Sequence, residues 1–129
     1  MLAIDTNVIV RLVVDDDHEQ FLRADRLIAS HPVFVSNTVL LECERVLRSA
    51  YGLEASDFVA AFRDLAGLVN VTFEAPRLAA TALDWHEKGM DFADAMHLAR
   101  AEGCEAFVSF DKGLAKAARK VGGMKVRAP

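Results

Sequence analysis

Apolar positions along the chain fall into two alternating patterns. Short, β-rich runs, "LAID" (2–5), "VFVS" (33–36), "VTF" (71–73), "AFVSF" (106–110) and "MKV" (124–126), read as strands. Between them lie longer segments of helical period, at roughly 17–30, 37–51, 55–68, 75–88, 91–103 and 111–121. Pro32, Pro76, Gly52, Gly89, Gly103 and the Gly122-Gly123 pair punctuate the joins. Strands that alternate with helices need crossover connections, which predicts a parallel sheet covered on both faces. No linker, repeat or low-complexity run interrupts the 129 residues, so the expectation is one α/β domain, 1–129.

Composition narrows the class. A hydrophobic content of 53% is enough to fill a core, and no apolar run approaches the ~20 residues of a membrane span. The first residues, "MLAIDTNVIV", carry no basic region and reach Asp5 at once, so no secretory signal is expected and a cytoplasmic location is. Cys43 and Cys104 stand alone, without disulfide or zinc-site spacing. The net charge of −4 hides an asymmetry: residues 112–129 carry +6 and no acid, and the preceding part sums to −10. That division suits a polyanionic substrate approaching one side, or equally a solvated helix face and tail.

In open parallel sheets ligands sit beyond the carboxyl ends of the strands, so polar residues that follow strands become candidates. Asp5 follows "LAI" and Asp111 follows "AFVSF". Asp5-Thr6-Asn7 suits the cap of a short helix beginning at Val8, or a functional carboxylate oriented by Thr6 and Asn7. Asp111 is equally suited to capping. In "SNTVLLECERVLRSAYG", Val39, Cys43, Val46 and Ala50 form an apolar stripe at ~100° per residue. Glu42 lies on its border and Glu44 points away, which makes Glu42 the functional candidate and Glu44 an ordinary surface acid.

"KGMDFADAMHLARAEG" poses the same choice twice. Asp91 fits an N-cap and Asp94 the third helical position, close to a capping box. Such roles are worth about 1 kcal/mol each and would explain either residue alone. "VVDDDHEQ" reads as a charged loop in which Asp17 and Gln20 make a capping box and Asp15, Asp16 and Asp17 are solvated. Convergence favours a site. In a parallel sheet Asp5, Glu42, Asp94 and Asp111 all belong to one edge. Two like charges ~6 Å apart repel by roughly 3 kcal/mol at an effective dielectric of 20, so four need cations or protons. All-oxygen donors suit Mg²⁺ or Mn²⁺, ions that serve phosphate chemistry. His18, His31, His86 and His97 read as structural or exposed, with His97 placed to support Asp94. No phosphate-loop, dinucleotide or serine-hydrolase motif is present.

"MLAIDTNVIVRLVVDDD", "VLLECERVLRSAYGL", "MDFADAMHLARAEGC" and "AFVSFDKGLAK" resemble the four signature regions of PIN-domain proteins. More specifically, they resemble the VapC toxins of bacterial type II toxin–antitoxin systems, in order and over essentially the whole chain. By that resemblance Asp5, followed by the polar Thr6, matches the first-strand aspartate, and Glu42 matches the helix glutamate. Asp94, just before an A-x-x-x-A segment, matches the third acid, and Asp91 an accessory acidic position. Asp111 matches the fourth, most variable acid, with Ser109 standing where a threonine is frequent.

The resemblance implies a PIN-like three-layer α/β/α sandwich with a five-stranded parallel sheet in the order 3-2-1-4-5. It also implies Mg²⁺- or Mn²⁺-dependent endoribonuclease activity with one or two ions, homodimerisation, and a VapB antitoxin as partner. The implied substrate is a structured RNA such as tRNA or ribosomal RNA. Asp5 and Asp94 are then the principal metal ligands, with Glu42 and Asp111 completing the acidic set and Asp91 assisting. Thr6, Asn7 and Ser109 support it. Arg11, Lys112 and Lys116 are candidates for steering backbone phosphates, or ordinary surface charge. The alternatives are a housekeeping PIN nuclease without antitoxin, a catalytically silent PIN binding module, and a phosphotransfer or phosphatase domain on a similar sheet.

Overall fold

A computed structural model describes all residues, 1–129, and the chain parts into two compact units, Met1–Pro76 and Arg77–Pro129. The first unit runs β1 (Leu2–Ala3), α1 (Thr6–Val13), α2 (His18–Ser30), β2 (Val33–Val35), α3 (Asn37–Tyr51), α4 (Ala55–Ala66) and β3 (Val71–Phe73). The second holds α5 (Pro76–Glu87), whose first residue closes unit one, then α6 (Phe92–Arg100), β4 (Phe107–Val108), α7 (Lys112–Val121) and β5 (Val126–Arg127).

In the first unit β2 is the central strand. It pairs in parallel with β1 through Leu2–Val33 and Ala3–Phe34, and with β3 through Val33–Val71, Phe34–Thr72 and Val35–Phe73. Val33 and Val35 are wholly buried, as a strand covered by helices requires. Ile9, Leu40, Cys43, Leu47, Phe58 and Phe62 are buried on the helices of this unit, and the Phe58 and Phe62 rings stack with centroids 4.3 Å apart. The second unit has its own parallel pair, Phe107–Val126 and Val108–Arg127. Ala82, Leu83, Phe92, Ala95, Leu98 and Ala118 are buried there.

Every expected strand and helix is present; β3 matches its run, β5 is shifted to Val126–Arg127, and β1, β2 and β4 are shorter than their apolar runs. Capping explains the difference. Asp5, Ser36 and Asp111 each end an extended run by accepting a hydrogen bond from the helix that follows, so the last residues of "LAID", "VFVS" and "AFVSF" leave the ladder. For the same reason the first helix starts at Thr6 rather than Val8. The expected strand order is met in two pieces, 3-2-1 and 4-5. The hydrogen-bonded β1–β4 ladder that would make them one five-stranded sheet is not among the strand pairs. β1 and β4 are only two residues long, too short to carry a ladder on both sides.

Candidate active site

In the first unit, Asp5 caps α1, its Oδ1 accepting from Thr6 N at 2.8 Å. Glu42 lies exposed on α3. Both carboxylates act on a third residue, the buried thiol of Cys43. Burial first, then the Glu42 charge and more weakly that of Asp5, pushes this thiol up to about 12. The neighbouring Thr6 hydroxyl opposes the rise, yet its buried Oγ1 makes no hydrogen bond of ordinary geometry. A buried hydroxyl left without a partner beside Asp5 is an exception to the usual satisfaction of buried polar groups. Asn7 is exposed.

The second unit gathers Asp91, Asp94 and Asp111 with His97. Asp91 caps α6, its Oδ2 accepting from Asp94 N at 3.1 Å. Asp111 caps α7 through Leu114 N at 3.0 Å, and its own N–H donates to Ser109 Oγ at 3.0 Å. Gly113 keeps the flank of that carboxylate open: a Cβ there would come 3.1 Å from Asp111 Oδ1. Asp94 differs from both. It is half-buried, no hydrogen bond reaches its carboxylate, and its pKa is raised above the ordinary 3.8. Burial contributes most, followed by the charges of Asp91 and Asp111, with His97 pulling the other way. Asp94 therefore carries a charge the fold resists.

Capping and ligation are compatible, because a carboxylate has about four lone-pair sites and a cap occupies one. In kind, the oxygen donors of each unit suit a hard divalent cation: the orphaned Thr6 hydroxyl beside Asp5 in the first, and the unbonded Asp94 carboxylate in the second. In arrangement they do not form a ready cage: nowhere do three or more His, Cys, Asp or Glu side chains gather so as to hold a metal ion. Asp5, Asp91 and Asp111 are each engaged at a helix start.

The cations divide. Arg11 is enclosed within the first unit: Nε donates to Gln20 Oε1 at 2.8 Å, and Nη1 to Asp16 Oδ1 at 2.6 Å and to the Tyr51 hydroxyl at 3.3 Å. Asp16, expected to be merely solvated, is the partner of both, also accepting from Tyr51 at 3.0 Å. Desolvation works upward on Asp16, but the Tyr51 and Arg11 hydrogen bonds and the Arg11 charge outweigh it and hold the carboxyl below its usual range. Lys112 and Lys116 are exposed on α7. Asp17 caps α2 through Gln20 N, as expected. Glu44 corrects the reading of α3. It is buried, 6% exposed, and accepts from Arg48 Nε at 2.9 Å. The inward stripe is Leu40, Cys43, Glu44 and Leu47, one position off the expected phase.

The chain matches the PIN domain family over residues 2–120. No curated protein matches it. Among solved structures, the Mycobacterium tuberculosis toxin VapC20, described as cleaving the Sarcin-Ricin loop, is 28% identical with a TM-score of 0.44. That similarity covers 91% of this chain and 95% of the other.

Proposed function

The chain belongs to the PIN-domain family, and on that premise we propose that it is a Mg²⁺- or Mn²⁺-dependent endoribonuclease, the toxic half of a type II toxin–antitoxin pair. Nuclease chemistry is the family-level activity; the toxin role follows from the likeness of its four acidic regions to VapC proteins. One observation carries the metal-dependent reading: Asp94, half-buried and without a hydrogen-bond donor, holds its charge against two like neighbours. A group in that position gains most from a bound cation.

We assign Asp5 and Asp94 as principal ligands, with Glu42 and Asp111 completing the set and Asp91 holding the start of α6. When bound, the ion supplies an activated water and neutralises charge on the transferring phosphate. The protein's own contribution is placement. The Thr6 N–H fixes one Asp5 oxygen, and Ser109 fixes the backbone that carries Asp111. The assigned partners are a VapB-type antitoxin, an RNA substrate such as tRNA or rRNA, and a second copy of the chain. No helix is long and apolar enough to cross a membrane, and the proposed site of action is the cytoplasm.

The test is direct. Purified Asp5→Asn and Asp94→Asn should neither cleave RNA in Mg²⁺ or Mn²⁺ nor arrest growth when expressed; wild-type behaviour from both overturns the mechanism. The remaining alternative is a PIN module that binds partners without catalysis. Calorimetry decides between them: that reading requires no Mg²⁺ or Mn²⁺ binding at millimolar concentration.

A further inference from the structure

Phe110 is 84% exposed, between Ser109 and the Asp111 cap. The turn that presents it is pinned on both sides. Ser109 N donates to Arg127 O at 3.0 Å, Ser109 Oγ accepts from Asp111 N, and Asp111 Oδ1 accepts from Leu114 N. The ring is therefore held out on a fixed backbone rather than on a loose tip. Burying a phenylalanine side chain is ordinarily favourable; here that gain is forgone.

The helix that begins beside it carries a second feature. Lys112, Lys116, Arg119 and Lys120 are all exposed, and their spacing of four, three and one places them on one arc of α7. Leu114 and Ala118 are the buried residues of the same helix. No carboxylate pairs with any of the four cations, and residues 112–129 contain no acid. From Lys112 to Lys120 the row rises eight steps of 1.5 Å, about 12 Å.

An exposed ring followed by a row of unpaired cations is the combination by which proteins hold single-stranded nucleic acid: bases stack on the ring and the cations follow the backbone. Val108, two residues before the ring, is also exposed, but from Lys112 onward the chain carries six cations and no acid, and that charge complementarity favours RNA over a protein partner. We infer that Phe110 is a base-stacking platform and that Lys112, Lys116, Arg119 and Lys120 form the backbone track leading from it, so that an unpaired nucleotide is seated next to Asp111. This deepens the nuclease reading and rests on it for the identity of the polymer. Phe110 acts as a positioning and specificity residue.

Fluorescence anisotropy tests it with the full chain and a labelled, unstructured RNA of about twelve nucleotides, in EDTA so that no cleavage occurs. Phe110→Ala should weaken binding about tenfold, and Phe110→Trp should retain or improve it. An RNA with abasic residues should bind wild type and Phe110→Ala alike. Lys116→Gln with Lys120→Gln should lower the log–log salt slope by about 1.4, or 0.7 for each lost phosphate contact. Equal binding by Phe110→Ala and wild type overturns the proposal, as does absence of binding by wild type at micromolar concentration. So does a loss in Phe110→Ala that persists on abasic RNA, or a change in its oligomeric state by light scattering, which would assign the ring to protein association. The two readings fail separately. RNA that binds as described but is never cleaved removes the nuclease and leaves the platform; cleavage unaltered in Phe110→Ala does the reverse.

Discussion

The two units treat their acids in opposite ways. In the first, the pressure of Asp5 and Glu42 falls on a buried thiol, Cys43, which stays protonated under it. In the second, the pressure of Asp91 and Asp111 falls on another carboxylate, Asp94, whose remedies are a proton or a cation. Like charges near a group that is already neutral cost little. Near a group that must ionise, they create a demand for a ligand. The contrast extends to pH, because the first unit also holds Asp16 below the ordinary carboxylate range by pairing it with Tyr51 and Arg11.

Asp94 is where substitution has the largest expected effect. Asp94→Asn should cost on the order of a hundredfold or more in RNA cleavage, with metal affinity falling in parallel. Equal loss of affinity from Asp91→Asn, which keeps a good capping side chain, would contradict the division between capping and ligating acids. Asp91→Ala should instead cost about 1 kcal/mol of stability through the lost cap, read from urea unfolding without metal.

pH sharpens the contrast. Asp94's folded pKa lies above its ordinary 3.8, so the folded state binds the proton more tightly. Metal-free stability should therefore decline as pH rises from that ordinary value through the raised one. Asp16's folded pKa lies below 3.8, so its contribution is present above that value and lost as pH falls through the lowered one. Thermal melts of Asp94→Asn and Asp16→Asn should remove opposite slopes. Without metal, Asp94→Asn should melt about 1–3 °C higher than wild type. A lower melting point would sink the claim that its charge is resisted. The smallest effect belongs to the thiol. Glu42→Gln should move Cys43 modestly down from about 12, measured by thiolate absorbance, and native alkylation should reach the exposed Cys104 well before the buried Cys43.

Much of this was legible because local chemistry determined it. Asp17 and Asp91 are caps that three residues of sequence predict. The phase of α3 was not legible. Val39-Leu40-Leu41 and Val46-Leu47 are contiguous apolar residues, so two stripes one position apart fit equally well, and only one of them turns Glu44 inward. Nor could sequence show that Tyr51, 40 residues from Arg11, helps enclose that cation. The acids of the site were identified one at a time, whereas the burial and charge that set Asp94 apart arise only when α6 and α7 bring their starting residues together.

Gly113 carries a consequence for how this protein can be improved. At an exposed helical position, alanine usually stabilises relative to glycine by about 1 kcal/mol, so a screen for heat resistance would sample that change early. Here the added methyl would press on Asp111 Oδ1 at 3.1 Å. Selection for robustness and selection for RNA cleavage should therefore diverge at this single codon, and a library scored both ways would show the disagreement directly.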